Sequence, residues 1–163
     1  MVIIVTGVSG SGKTTVGRAL ADTLSWRFID GDDLHPPVNV EKMARNDPLS
    51  DADREPWLAA VRATITASIA ADEPLILACS ALKRDYRDTL AAGLRDVRFV
   101  YLKATRAELD QRLARRRGHF AGPGLLDSQL ATLEEPRADD ATVVDATLPP
   151  ATLVTQIRET LDV

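Results

Sequence analysis

The first fifteen residues constrain the fold more tightly than any others. An apolar, β-branched run, V-I-I-V-T over residues 2–6, leads into G-V-S-G-S-G-K-T over residues 7–14, and a helix-forming segment continues to residue 24. A strand, a turn of the form G-x-x-x-x-G-K-T and a helix, in that order, make a phosphate-binding loop. Glycine reaches positive φ values that side chains disfavour. The peptide N–H groups can then turn inward and form an anion nest at a helix N-terminus. Gly7, Val8, Ser9, Gly10, Ser11, Gly12, Lys13, Thr14 and Thr15 are the expected cradle for a nucleoside triphosphate. Within it, Lys13 is placed to reach the β/γ phosphates and the Thr14 hydroxyl to ligate Mg²⁺.

Beyond residue 24 the chain alternates between short apolar runs and helical periodicity. Strands are expected at 2–6, 27–30, 75–79, 98–103 and 142–145. Helices are expected at 13–24, 38–45, 56–71, 82–92, 106–117, 126–133 and 151–161. Ser50 to Asp53 has the form of a helix start, and Gly93 that of a helix stop. Strands alternating with helices at this spacing give an α/β fold, a parallel sheet covered on both faces. At 163 residues the chain is expected to be a single domain, 1–163.

Composition narrows the class further. The net charge of −4 argues against a protein that coats nucleic acid. Eleven of the 20 Lys and Arg fall between residues 83 and 117. They form either solvated helix faces or a local positive field for a polyanion. The one cysteine, Cys79, ends an apolar run and is expected to be packed, in a chain suited to a reducing compartment. No apolar stretch approaches the ~20 residues needed to span a bilayer, and the first strand begins at residue 2, so a cytoplasmic location is expected.

Ligands of such sheets bind at the carboxyl ends of the strands. There the second strand ends in D-G-D-D-L-H, residues 30–35. Asp30 could hold a water on Mg²⁺, and Asp32 could orient an acceptor hydroxyl or take its proton; Asp33 stays open as a third choice. His35 and His119 are candidates for substrate contact. The third strand leads into Lys83, Arg84 and Arg87, and with Arg54 these cationic groups, the guanidiniums above all, suit a carboxylate. Arg112 and Arg116 are four residues apart and share a helix face, one suited to stack on a purine and the other to reach phosphate. The glycine-containing loop after them has the makings of a lid, 116–126. No His/Cys set has zinc-ligand spacing, and the third strand does not end in a second Walker-type acid, since Cys79-Ser80 stands there.

Together these pieces resemble the gluconate kinases of the nucleoside-monophosphate-kinase-like P-loop group. The stretches that carry the resemblance are G-V-S-G-S-G-K-T at 7–14, F-I-D-G-D-D-L-H-P at 28–36, E-K-M at 41–43, P-L-S-D-A-D-R at 48–54 and P-W-L at 56–58. C-S-A-L-K-R-D-Y-R at 79–87, G-H-F at 118–120, S-Q at 128–129 and T-L-E-E-P at 132–136 complete it. The resemblance implies a three-layer α/β/α fold with sheet order 2-3-1-4-5, a homodimer, and ATP with Mg²⁺. It also implies transfer of the γ-phosphoryl to the 6-hydroxyl of D-gluconate; a kinase for shikimate or a related aldonic acid is the alternative. By the same resemblance Asp32 faces the acceptor hydroxyl, Asp30 lies nearer the metal, Arg112 flanks adenine beside 145–149, and Arg116 is the lid arginine. His35, Lys42, Arg54, Ser80, Arg84 and Arg87 are the expected gluconate contacts. A more glycine-rich segment at 120–124 and Arg117 depart from the expected pattern.

Overall fold

A computed structural model describes residues 1–115 and 123–163. Five strands, β1 (Val2–Thr6), β2 (Arg27–Asp30), β3 (Leu75–Ala78), β4 (Val97–Lys103) and β5 (Thr142–Asp145), form one parallel sheet in the order β2-β3-β1-β4-β5. The helices are α1 (Lys13–Leu24), α2 (Pro37–Ala44), α3 (Asp51–Ala70), α4 (Arg84–Ala91), α5 (Arg106–Arg115), α6 (Pro123–Thr132) and α7 (Pro150–Leu161). Each parallel connection needs a crossover, and the helices supply it.

The central strand shows why the sheet is covered twice. All five residues of β1 are buried. Val2 and Ile4 point to one face, where they pack with Leu75, Leu77 and Phe99 against Trp57, Val61 and Ile65 of α3 and Leu90 of α4. Ile3 and Val5 point to the other, where they meet Ile76, Val100 and Val144 under Val16 and Leu20 of α1 and Leu153 and Ile157 of α7. The period-2 alternation of a strand thus feeds two cores. A third, smaller cluster of Val8, Leu82, Leu109 and Leu126 lies beneath the phosphate loop. Among the described residues, no helix is long and apolar enough to cross a membrane.

Two differences from the expected elements matter for the site. The helix expected from residue 82 begins at Arg84 instead. Ala81 takes φ 38° and Lys83 is extended at φ −90° and ψ 152°, so the helical turn starts only after Lys83. The D-G-D-D segment, for which no element is expected beyond Asp30, forms a 3-10 turn over Gly31–Leu34, with the Asp30 carboxylate accepting the Asp32 N–H at 3.2 Å. The expected lid, 116–126, is described only from residue 123, and Arg116, Arg117 and His119 lie outside the described residues.

Candidate active site

Two groups of side chains meet at the carboxyl edge of the sheet. The first is built around the loop between β1 and α1. Helix α1 starts after Gly12, whose φ of 102° is open to glycine and strained for other residues. No side chain caps this helix and its first turn carries no acid, so its leading N–H groups and the positive end of its dipole remain open to an anion. Thr14 Oγ1 donates to Asp30 Oδ2 at 2.8 Å, joining the start of α1 to the end of β2. Lys13 Nζ donates to the Val8 carbonyl at 3.2 Å, across the loop. Ser11 is buried, and its hydroxyl has no hydrogen-bond partner among the described residues. The Ser9 N–H is held by Oε1 of Gln129 on α6 at 2.6 Å. Thr15 is exposed one residue beyond Thr14.

Arg112 on α5 closes this half. Its guanidinium donates to the Ser11 carbonyl at 3.1 Å, the Gly10 carbonyl at 3.5 Å and the Ala146 carbonyl. It therefore ties the loop to the segment after β5, the neighbourhood expected of an adenine-flanking residue. There, hydrogen bonds from Thr147, aided by the Arg112 charge, hold the Asp145 carboxyl below its usual range.

Cys79, at the end of β3, reports how the charges converge. Burial pushes its thiol up to about 12, with the negative charges of Asp32 and Asp30 adding to the shift and Lys13 opposing it. Asp30 pairs in register with Ala78, one residue before Cys79, and the thiol itself is packed and inert. Ser80 comes next, half-buried, its carbonyl accepting the Thr6 hydroxyl.

The second group lies between the 3-10 turn and helices α2, α3 and α4. Gly31 is required by close approach: a Cβ there would stand 2.7 Å from the Ala78 carbonyl. Its own carbonyl accepts from Trp57 Nε1 at 2.8 Å, and Trp57 stacks on the His35 ring at 4.5 Å and 7°. Burial, reinforced by the Arg54 charge, lowers the His35 imidazole to about 4. Asn39, buried on α2, reaches both His35 Nδ1 at 3.3 Å and the Asp53 carbonyl at 2.7 Å. Lys42 Nζ donates to both Asp53 carboxylate oxygens, at 2.7 and 2.9 Å. That carboxylate also accepts from the Ser50 N–H and hydroxyl, completing a capping box at the start of α3. These bonds, the Lys42 contact foremost, hold Asp53 well below the usual carboxylate range. Arg54, in the first turns of α3, is 3.4 Å from both Asp51 Oδ1 and the Tyr86 hydroxyl. Lys83 reaches Asp51 Oδ2 at 2.6 Å, and the Tyr86 hydroxyl donates to the same carboxylate.

Two expected contacts do not join this group. Because α4 starts at Arg84, the Arg84 side chain is exposed and pairs with Asp88 at 3.8 Å and Asp140 at 3.7 Å. Arg87 is buried, and donates to the Ala81 and Leu82 carbonyls at 3.1 and 3.2 Å. It fixes the turn between β3 and α4 rather than presenting a free guanidinium. Conversely, Asn39, Asp51, Trp57, Tyr86 and Gln129 contact the candidate site residues although sequence reasoning does not single them out. Asn39 had a usable signal, its i+4 spacing from His35, whereas the contacts of the others depend on approaches between distant segments.

Known proteins are similar to this chain over the segments that carry both halves of the crevice. A family model described as an AAA domain matches residues 2–136. The gluconokinase of Gluconobacter oxydans is 49% identical over 141 residues, covering 86% of this chain and 79% of that protein. This chain belongs to the gluconokinase family. Its fold agrees with a gluconokinase crystal structure from Sinorhizobium meliloti at a TM-score of 0.83 and 43% identity, covering 98% of this chain and 94% of that one. An unliganded sugar kinase from Janibacter sp. superposes at a TM-score of 0.92 and 41% identity, over 99% and 94% of the two chains. The family match thus spans both the phosphate loop and the acceptor side.

Proposed function

We propose that this chain is a gluconokinase, transferring the γ-phosphoryl group of ATP to the 6-hydroxyl of D-gluconate. The observation that carries the proposal is the junction of an uncapped, glycine-turned phosphate loop with a half-buried cluster of His35, Lys42 and Arg54. Membership of the gluconokinase family supports the acceptor.

In this reading residues 7–15 cradle the triphosphate and Lys13 neutralises charge at the β/γ bridge. Arg112 borders the base, and Arg116 serves the transferred group. Thr14 Oγ1 and the Asp30 carboxylate would hold Mg²⁺, and their oxygen-donor chemistry, one hydroxyl and one carboxylate already 2.8 Å apart, fits that ion. When bound, Mg²⁺ supplies charge neutralisation on the phosphates. Asp32, exposed at the sheet edge, orients the acceptor hydroxyl and receives its proton. Arg54 meets the carboxylate of gluconate, Lys42, His35 and Ser80 meet its hydroxyl groups, and Trp57 forms the wall behind them. Arg84 and Arg87 have no part in binding. The enzyme works as a homodimer in the cytoplasm, with no nucleic-acid or membrane partner; light scattering on the eluting protein tests the dimer.

The decisive assay couples ADP release to an optical readout with D-gluconate, 5-ketogluconate, L-idonate, shikimate and water in turn. ADP release that depends on D-gluconate supports the proposal. Release with shikimate in preference, or equal release with water alone, contradicts it.

A further inference from the structure

The amide of Asn39 is oriented by a partner that admits no ambiguity. The Asp53 backbone carbonyl can only accept a hydrogen bond, so the Asn39 atom 2.7 Å from it is the nitrogen. The second N–H of that same nitrogen is what stands 3.3 Å from His35 Nδ1. Turning the amide over would place two acceptor oxygens 2.7 Å apart. The orientation is kept although it leaves Asn39 Oδ1 buried without a partner among the described residues. A donor facing Nδ1 leaves that atom no proton of its own. We infer that Asn39 is a positioning residue that fixes His35 as an uncharged imidazole with its proton on Nε2, so that His35 meets an acceptor oxygen as a hydrogen-bond donor and not as a base.

Three further features act in the same direction. Stacking on Trp57 at 4.5 Å sets the plane of the ring, so the Nε2–H direction is fixed together with the tautomer. The charged groups on the elements around the ring are Asp51, Asp53, Arg54, Glu55 and Arg62 on α3, Glu41 and Lys42 on α2, and Asp32 and Asp33 on the turn that precedes it. The Arg54 field is the one felt at the imidazole, and it opposes a second proton. The Asp53 carboxylate is engaged by Lys42 and Ser50, and contributes only its backbone carbonyl to Asn39. Labour in the acceptor site is divided accordingly: the proton of the reacting hydroxyl goes to a carboxylate, and His35 contributes direction without exchanging a proton. This inference rests on the proposed acceptor site, but its primary test does not.

The test is long-range ¹H–¹⁵N correlation on the full-length, ¹⁵N-labelled protein. The chain has two histidines, so the spectrum of His35→Gln assigns both. Wild-type His35 should show the Nε2–H tautomer and no titration between about pH 5 and pH 8. An Nδ1–H pattern, or titration near the ordinary imidazole value, overturns the inference. Asn39→Asp replaces the donor by an acceptor and should move the proton to Nδ1. It should also raise KM for gluconate about 10-fold, the scale of one lost hydrogen bond, with KM for ATP unchanged. His35→Gln keeps an uncharged N–H donor that cannot take up a proton; it decides the role even if the Asn39 variant fails to fold. It should raise KM for gluconate while lowering kcat less than about 10-fold, whereas a kcat loss of about 10² or more with KM unchanged marks a general base and overturns the inference. If the wild-type enzyme ignores gluconate, the proposed acceptor falls, and the wild-type spectrum still decides the tautomer.

Discussion

The two helix N-termini that face the crevice are finished in opposite ways. Helix α1 begins with no side-chain cap and no acid in its first turn. Helix α3 begins with a complete Ser50–Asp53 capping box and acids at Asp51 and Asp53. An open terminus offers N–H groups and the positive end of a dipole to an anion from outside. The capping box takes up the Asp53 and Ser50 N–H groups and sets carboxylates at the terminus, so α3 offers side chains instead, Arg54 first among them. In the proposed function, the nucleotide half would therefore recognise phosphate through backbone, a recognition indifferent to what else the ligand carries. The acceptor half would recognise through a cross-braced set of side chains, and there the choice of acceptor would be made.

The comparison breaks most severely at Asp32, where the halves meet. Asp32→Asn should leave ATP binding near the wild-type value and lower turnover about 10²-fold or more, the usual scale of acid–base assistance. Unchanged turnover would remove Asp32 from the mechanism. Next in size is Trp57→Ala, which takes away a fully buried ring, the bond to Gly31 and the stack on His35. The expected loss is about 3–5 kcal/mol in a urea titration. A loss well under that range would show that the acceptor turn is held without its pillar.

Legibility in the sequence divides along the same line. The phosphate loop, the five strands and the bounds of α1 could be read because they depend on local signals: glycine spacing, β-branched runs and 3.6-residue periodicity. The sheet order came from the family resemblance, since local signals do not encode which strands lie side by side. The acceptor half was legible only as a set of polar residues. Trp57 bonds to Gly31 across 26 positions, and Tyr86 bonds to Asp51 across 35. The surroundings of Arg84 and Arg87 were likewise not legible, because they depend on where α4 starts. Leu82 packs beneath the phosphate loop with Val8, Leu109 and Leu126, and α4 starts at Arg84, two residues later than the local pattern indicates.

A smaller effect concerns pH. The Asp53 carboxyl is held below its ordinary value by Lys42 and the Ser50 donors. A group depressed in this way contributes stability that is fully present above the unfolded value, about 4, and is lost as pH falls through the folded value. Acid titration of stability should therefore be flatter below about pH 4 in Asp53→Asn than in wild type. Identical acid limbs would mean the capping box does not discriminate between the two protonation states. The smallest effect is expected at Arg84→Ala, which removes only exposed ion pairs and should leave KM for gluconate within about 2-fold of wild type. A larger rise would return Arg84 to the acceptor site.

The separation of the two halves is tested most directly by crossed Michaelis constants for Arg54→Ala and Arg112→Ala. Arg54→Ala should raise KM for gluconate about 10- to 100-fold, the cost of one charge-assisted contact, and leave KM for ATP unchanged; Arg112→Ala should do the reverse. If either variant raises both constants alike, the crevice is one coupled site and the two halves do not recognise their ligands separately.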